Sequence, residues 1–258
     1  MSPAILRGLG KGQFALVFCL LCSGLDLLAQ QVQVYTETVN GVSFNMVYVE
    51  GGKFTMGCTG GDKDCNTWES PLSEVTLSSY RIGETEVTQA LWRAVMGDNP
   101  SETKCDECPV TNVSWEDAKA FVHQMTKLTG KTYDLPTEAQ WEYAARGGQT
   151  TISHPGKVDR YAWHLGNSEN TLHQVGQKLT NGLGLSDMLG GVWEMCSDWY
   201  GPYTNTPKID PVGPKDGTKR VARGGSRFSP PLACRSSNRD RVLPRDELKS
   251  VGFRLVSK

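Results

Sequence analysis

The chain has 258 residues, a formal net charge of −1, 38% hydrophobic residues and 21% charged residues. These values are typical of a soluble globular protein, and the near-zero charge argues against nucleic acid or an anionic membrane surface as a partner. Residues 219–258 nevertheless carry eleven Lys or Arg and three Asp or Glu, and 11 − 3 gives a local charge of +8. Because Arg is a rich donor for irregular backbone, we attribute most of this excess to loop structure.

Residues 1–29 are predicted to be a secretory signal segment, with a basic start and an apolar stretch too short to span a membrane. The sequence allows two positions for the end of this segment. The segment is either cleaved after Ala29 or is a lipoprotein signal that ends before Cys22, although Leu21 is larger than the residue that usually precedes a lipidated cysteine. We therefore expect an outer-membrane surface lipoprotein or a periplasmic or secreted protein, with a single domain over residues 30–258. A lipid anchor would be its only contact with a membrane.

The predicted elements are concentrated in the first half of this domain. Alternating or continuous apolar residues predict three strands, at residues 42–48, 51–57 and 74–77. Three helices are predicted from N-capping residues and begin after Thr88, Ser114 and Thr137. The second helix has an apolar stripe of Ala118, Phe121, Val122, Met125 and Leu128. After Gly148 the periodicity fails, and we expect loops stabilised by hydrogen bonds.

Six cysteines follow the signal segment, and an even number in an exported chain indicates disulfides. They are Cys58, Cys65, Cys105, Cys108, Cys196 and Cys234. The first two flank a turn-rich stretch, which favours a local bridge. The middle two favour a structural loop bridge over a redox-active pair, because no helix begins directly after them. The last two would pair only by elimination.

Metal binding has little support in the spacing of residues. The four histidines, His123, His154, His164 and His173, show no ligand spacing. A structural calcium ion near Asp187 and Glu194 is the one metal site that we consider, and ordinary turn acids are the alternative. There is no Gly-x-Ser-x-Gly elbow and no phosphate-binding glycine loop, so we expect no catalytic cofactor.

Several specific motifs occur in one order along the chain. They are Thr55-Met56-Gly57, Glu86-Val87-Thr88, residues 109–115, residues 135–147, residues 184–188, Gly191-Val192-Trp193-Glu194, Asp198-Trp199-Tyr200, Arg223-Gly224-Gly225-Ser226 and Gly252-Phe253-Arg254. Together they resemble the formylglycine-generating enzyme (sulfatase-modifying factor) family over residues 42–256. The resemblance implies an α/β (α+β) chain with a C-type-lectin-like fold of the formylglycine-generating-enzyme subtype, rich in irregular loops.

The resemblance also bears on catalysis and metals. Enzymes of the family oxidise a substrate cysteine to formylglycine with a copper-binding cysteine pair shortly after the Gly-Gly-Ser motif. Here Cys234 is the only cysteine in that window, so we predict that the chain is not an enzyme. The family's calcium site is implied more weakly, because Gly191 stands where Asn is usual. Its candidate ligands are the Glu194 carboxylate and the carbonyls of Leu189 and Val192.

The C-terminal segment resembles a narrower group, the variable proteins of diversity-generating retroelements. This group has a fixed frame, which here consists of residues 223–226, 234–239, Pro244 and residues 252–256. Between the frame residues the group places diversified, solvent-facing residues, which we call the variable positions. They are Arg227, Phe228, Ser229, Pro230, Leu232, Ala233, Asp240, Arg241, Val242, Leu243, Asp246, Glu247, Leu248, Lys249 and Ser250.

The variable positions mix apolar and charged side chains, as recognition surfaces do, and anchored loops tolerate changes of side chain. We therefore predict a non-catalytic, exported display protein whose variable positions bind a macromolecular ligand, which we expect to be a protein. The alternative for these positions is an ordinary loop surface. The alternatives for function are a formylglycine-generating oxidoreductase and a structural cell-envelope protein of the same fold. We expect the frame residues Arg223, Arg235, Arg239 and Arg254 to donate to loop carbonyls.

Overall fold

The computed structural model describes residues 32–59, 64–148 and 158–258. The predicted signal segment, and with it the lipidation predicted at Cys22, lies outside these residues. From Val32 to Lys258 the chain forms one compact unit. Within the described ranges, every helix is too short or too polar to cross a bilayer.

Regular structure consists of short strands and three α-helices. The strands are β1 (Val34–Val39), β2 (Val42–Val49), β3 (Gly52–Met56), β4 (Ser73–Leu77), β5 (Tyr80–Gly83), β6 (Tyr133–Asp134), β7 (Ala162–Trp163), β8 (Leu189–Gly190), β9 (Trp193–Trp199), β10 (Lys208–Ile209), β11 (Arg220–Arg223), β12 (Arg239–Val242), β13 (Val251–Gly252) and β14 (Val256–Ser257). The helices are α1 (Gln89–Met96), α2 (Trp115–Thr129) and α3 (Glu138–Ala145). The three predicted strands are β2, β3 and β4, with small differences at their ends.

Two sheets organise the fold. A five-stranded sheet has the order β1-β2-β5-β14-β6, so the last strand of the chain pairs with elements from its first half. A four-stranded sheet has the order β12-β11-β9-β13 and carries the C-terminal segment. A three-stranded sheet, β10-β4-β3, and the pair β7-β8 complete the pairing among the described residues. The α+β fold that the resemblance implied is therefore present, and loops connect most of its short strands.

The helices begin where their capping residues predict. Thr88 accepts from the Leu91 amide, and Ser114 and Asp117 form a reciprocal capping box at the start of α2. Gly97 and Gly130 end α1 and α2 with φ values of +89° and +69°, which a residue with a Cβ rarely adopts. The predicted apolar stripe of α2 is wrong at one residue. Leu128 is 43% exposed, because the buried face of α2 stops at Met125.

Two apolar clusters form the core. One contains Trp141 of α3 with Phe54 and Tyr80 from the sheets, together with the sulfur atoms of Cys196 and Cys234. The other centres on three aromatic rings, Trp92, Phe121 and Phe253, whose centroids lie 5.2–6.2 Å apart. Phe253 belongs to the C-terminal frame, and its packing fixes that frame against α1 and α2.

Two of the three disulfides are confirmed. Cys58–Cys65 and Cys105–Cys108 are bonded, as their local spacing predicted. The third pairing, Cys196 with Cys234, which only elimination suggested, is wrong, because both residues are buried free thiols. The Cys234 sulfur packs against the backbone of Gly225, where an added Cβ would lie 2.9 Å away, and the Cys196 sulfur faces the Glu194 carbonyl at 4.0 Å.

Candidate ligand-binding surface

Arg223 is fully buried at the end of β11 and fixes the first part of the frame. Its Nη1 donates to the carbonyls of Ser237 (2.9 Å) and Asn238 (2.6 Å), and its Nη2 donates to the Ser236 carbonyl (2.8 Å). The same Nη2 pairs with Glu142 on the buried face of α3. One guanidinium therefore joins the helix to three consecutive loop carbonyls.

The other three frame arginines combine a carboxylate with a loop carbonyl in the same way. The ion pairs are Arg235–Glu69 (2.6 Å), Arg239–Glu138 (2.8 Å) and Arg254–Glu194 (2.6 Å). Their loop carbonyl acceptors are Leu232 (2.8 Å), Gly201 (2.9 Å) and Ser186 (3.1 Å), respectively. The predicted donation to loop carbonyls is confirmed. The acidic partners were not predicted, because they lie 60 or more residues away in sequence.

The variable positions divide into three groups by burial. Exposed side chains are Pro230, Leu232, Asp240, Arg241, Leu243, Glu247, Leu248 and Lys249, which we call the display surface. Half-buried side chains are Phe228, Ala233, Asp246 and Ser250. Leu232 is 62% exposed and Leu243 is 46% exposed, so apolar side chains do face solvent there. The exposed charges are two acidic and two basic residues, which leaves the display surface without net charge.

Three variable positions are buried, and the prediction that they face solvent is wrong. Val242 belongs to β12 and packs into a core cluster. Ser229 closes a tight turn, in which its hydroxyl accepts from the Ser226 amide at 3.0 Å. Arg227 is 6% exposed and lies beneath neighbouring loops. Only the Ser229 turn is local: the Arg227 amide donates to the Gly191 carbonyl, and Val242 pairs with Arg220 of β11.

Contacts bring part of the variable positions together. Arg227 Nη2 donates to the Lys249 carbonyl at 2.5 Å, and the Lys249 Nζ lies 5.5 Å from the centre of the Phe228 ring. The loops at residues 227–230 and 246–250 are therefore adjacent. Asp240 and Arg241 are on the edge strand β12 instead.

The free thiols do not fit the copper site of the family's enzymes. Cys234 is the thiol that follows the Gly-Gly-Ser motif, and burial raises its pKa to about 12. Burial also raises the pKa of Cys196 well above its usual value, and the charges of Asp198 and Glu138 add to this effect. Copper(I) binds thiolates, and burial opposes the ionisation of both thiols. Cys234 is the only cysteine in residues 227–235, whereas the family's site uses two.

The calcium prediction meets a different arrangement at Glu194. Both carboxylate oxygens accept from Arg254, at 2.6 Å each, and one also accepts from the Trp141 indole at 2.7 Å. The Arg254 guanidinium thus occupies the position beside Glu194 where the prediction placed a calcium ion. The Glu194 carboxylate is therefore not available as a calcium ligand. Among the described residues, no three His, Cys, Asp or Glu side chains converge as a metal site. A calcium ion at the carbonyls of Leu189 and Val192 stays a prediction.

The structure contains a cavity of about 490 Å³. Its lining includes Glu138, Asp198, Tyr203 and Arg239, with Ile209 and Val212 at a rim of exposed apolar residues. The lining contains the frame residue Arg239 and none of the variable positions. The cavity and the display surface therefore share no residues.

The sheet order, the Arg–Gly–Gly–Ser turn and the buried frame arginines define a formylglycine-generating-enzyme-like form of the C-type-lectin-like fold. Residues 32–258 match the model of the sulfatase-modifying factor enzyme 1-like domain, and the chain belongs to this family.

Relatives in the family differ in what they do. The chain is 32% identical over 266 residues to the chaperone protein LppX of Paenibacillus barcinonensis, covering 81% of this chain and 86% of the relative. It is 30% identical over 290 residues to the formylglycine-generating enzyme of Streptomyces coelicolor, covering 82% and 88%. Family membership therefore does not decide between catalysis and another role.

Solved structures show the same fold. Treponema denticola variable protein 1 superposes with a TM-score of 0.79 at 30% identity, covering 87% of this chain and 98% of that protein. PvdO from Pseudomonas aeruginosa superposes with a TM-score of 0.77 at 24% identity, which supports the fold alone. The likeness to a variable protein agrees with the narrower resemblance of the C-terminal segment.

Proposed function

We propose that this chain is a non-catalytic, exported protein that binds a macromolecular ligand, which we expect to be a protein, through its display surface. The observation that carries the proposal is the separation of roles along one segment. Buried arginines hold the frame, while eight side chains between the frame residues face solvent. Such an arrangement lets the exposed side chains change at little cost to folding.

Three further observations support parts of this proposal. The display surface exposes leucines beside charged residues, as recognition patches do. Two disulfides in a chain with a predicted signal segment favour an oxidising compartment, and hence export. Cys234 is buried and is the only cysteine in residues 227–235, which argues against oxidation by a copper-binding cysteine pair.

A pair of randomised libraries tests the proposal. One library varies the eight residues of the display surface, and a matched library varies eight exposed residues on β1, α2 and the loop after β10. Both are presented on yeast and selected for binding to hen lysozyme. We expect most members of each library to fold and binders to emerge from the display-surface library. Equal yields of binders from the two libraries, or general misfolding of the first, would contradict the proposal.

The main alternative is a formylglycine-generating oxidoreductase, and the 30% identity to the Streptomyces coelicolor enzyme supports it. It is tested by incubating the protein with copper, oxygen and a cysteine-containing sulfatase peptide. Mass spectrometry of the peptide should then show unmodified cysteine. Formation of the aldehyde would overturn the non-catalytic assignment.

A further inference from the structure

Arg227 is a buried variable position whose backbone amide and carbonyl are both hydrogen-bonded. Its amide donates to the Gly191 carbonyl (2.9 Å), and its carbonyl accepts from the Ser168 hydroxyl (2.9 Å). Its Nη2 donates to the Lys249 carbonyl (2.5 Å). The guanidinium is therefore fixed at the junction of three loops, and its side chain lies directly under the display surface.

This guanidinium has donors without acceptors. Neither Nε nor Nη1 has a hydrogen-bond partner in the described part of the chain, although both are buried. Each of the four frame arginines pairs with a carboxylate, whereas no described carboxylate lies within ion-pair distance of Arg227. Leaving buried donors unpaired is unfavourable, and more so when the group is charged. Burial also lowers the pKa of Arg227, with the Glu102 charge acting in the opposite direction.

Two movable side chains lie beside the unpaired donors. The Phe228 ring is half-buried and its centre is 4.4 Å from the Arg227 guanidinium carbon. The ammonium of Lys249, an exposed residue, lies 5.5 Å from the same ring. An approaching anion would thus meet two cations around one aromatic ring. Phe228 and Lys249 do not belong to the frame, so a carboxylate that reaches Arg227 requires rotamer changes only at these two side chains.

We propose that Arg227 is the receptor for a carboxylate of the bound protein, which inserts beside Phe228 and is flanked by Lys249. The carboxylate comes from an acidic side chain or from a chain end. This inference rests on the proposed function, because it names the chemistry that the display surface recognises. It is specific to this chain, since Arg227 is itself a variable position.

Three blocked peptides of one length test the chemistry. N-acetyl-Gly-Glu-Gly-amide offers a side-chain carboxylate, N-acetyl-Gly-Gly-Gly offers a terminal carboxylate, and N-acetyl-Gly-Gln-Gly-amide is the neutral control. Each is titrated into the full chain labelled with ¹⁵N-arginine, and the Nε–H resonances are followed by NMR. We expect one or both carboxylate peptides to shift the Arg227 resonance saturably, and the glutamine peptide to leave it unchanged. Which carboxylate peptide acts identifies the source of the group.

Matched variants locate the site. Arg227→Met should weaken carboxylate binding at least about tenfold, because the loss removes charge-assisted hydrogen bonds. Arg160→Met removes an exposed arginine that lies outside the variable positions and should leave binding unchanged. If Arg227→Met does not fold, Arg227→Lys and the resonance shift in the parent protein still test the proposal. No saturable shift, an equal response to the glutamine peptide, or an equal loss in Arg160→Met would overturn the proposal.

The outcomes separate this inference from the proposed function. If the display-surface library yields lysozyme binders while Arg227 does not respond to carboxylates, the surface binds proteins and the carboxylate site is wrong. A carboxylate response without selectable protein binding would retain the anion site and reject the display function.

Discussion

Asp198 is a carboxylic acid held in the interior at the end of β9. It is 3% exposed, and its Oδ2 accepts from the Glu138 amide (3.0 Å) and the Ser197 hydroxyl (3.1 Å). Burial raises the pKa of Asp198 to about 7, with a further contribution from the Glu138 charge, against the opposing effect of these hydrogen bonds. The folded protein therefore retains a proton that the unfolded chain releases at lower pH.

Asp198→Asn is expected to remove part of the pH dependence of stability. The stabilisation from the retained proton is complete below the unfolded pKa of 3.8 and is lost as the pH rises to about 7. In that window the parent loses up to about 1.4 kcal/mol per pH unit relative to the variant. The asparagine oxygen preserves the acceptor for Glu138 and Ser197.

Urea unfolding at pH 4, 5, 6, 7 and 8 measures this difference. The free energy of unfolding of the parent minus that of the variant should fall up to about pH 7 and then level off. Asp240→Asn removes an exposed carboxylate and should follow the parent. Parallel curves for the parent and Asp198→Asn would show that Asp198 is ionised throughout.

At the scale of elements, the sequence predicts features that depend on local contacts and misses features that depend on distant contacts. The starts of α1, α2 and α3 followed from Thr88, Ser114 and Thr137, because a cap bonds within its own first turn. The two local disulfides followed for the same reason. Burial of Arg227 and Val242 could not be predicted, because it depends on loops and strands that meet only in the fold.

The pairing of frame and helix is the clearest case of such distant information. Glu138 and Glu142 are one helical turn apart on the buried face of α3, a spacing visible in the sequence. Their partners Arg239 and Arg223 lie 101 and 81 residues away. The resemblance located both segments, and it did not show that they bind each other.

Arg223→Met is expected to destabilise the protein by about 3–5 kcal/mol, because it leaves Oε2 of the buried Glu142 and three loop carbonyls without their donor, while Oε1 keeps Arg146. Arg241→Met, on the exposed side of β12, should change stability by no more than about 0.5 kcal/mol. Urea midpoints at neutral pH compare the two. Similar losses in both variants would mean that Arg223 is not the anchor of residues 236–238.

The two core clusters make the described unit a single packed body, with the C-terminal segment as part of its interior. Val221 of β11 packs in one cluster, and Val251 and Phe253 pack in the other. The segment that carries the display surface cannot detach without exposing both clusters. The display surface on such a base is expected to keep its shape when its side chains change, as the proposed recognition by pre-organised loops requires.

Alkylation of the two free thiols reports on this packing. Cys196 is 0% exposed and Cys234 is 2% exposed, in the same cluster, so iodoacetamide should label both only through global unfolding and at equal rates. Arg223→Met should accelerate both equally, by at least about a hundredfold when reclosing outpaces labelling. Peptide mass spectrometry under non-reducing conditions measures the labelling, and the disulfide-bonded Cys105 and Cys108 serve as internal controls. Faster labelling of Cys234 alone would mean that the display segment opens independently, and a peptide linking Cys196 to Cys234 would contradict the free thiols.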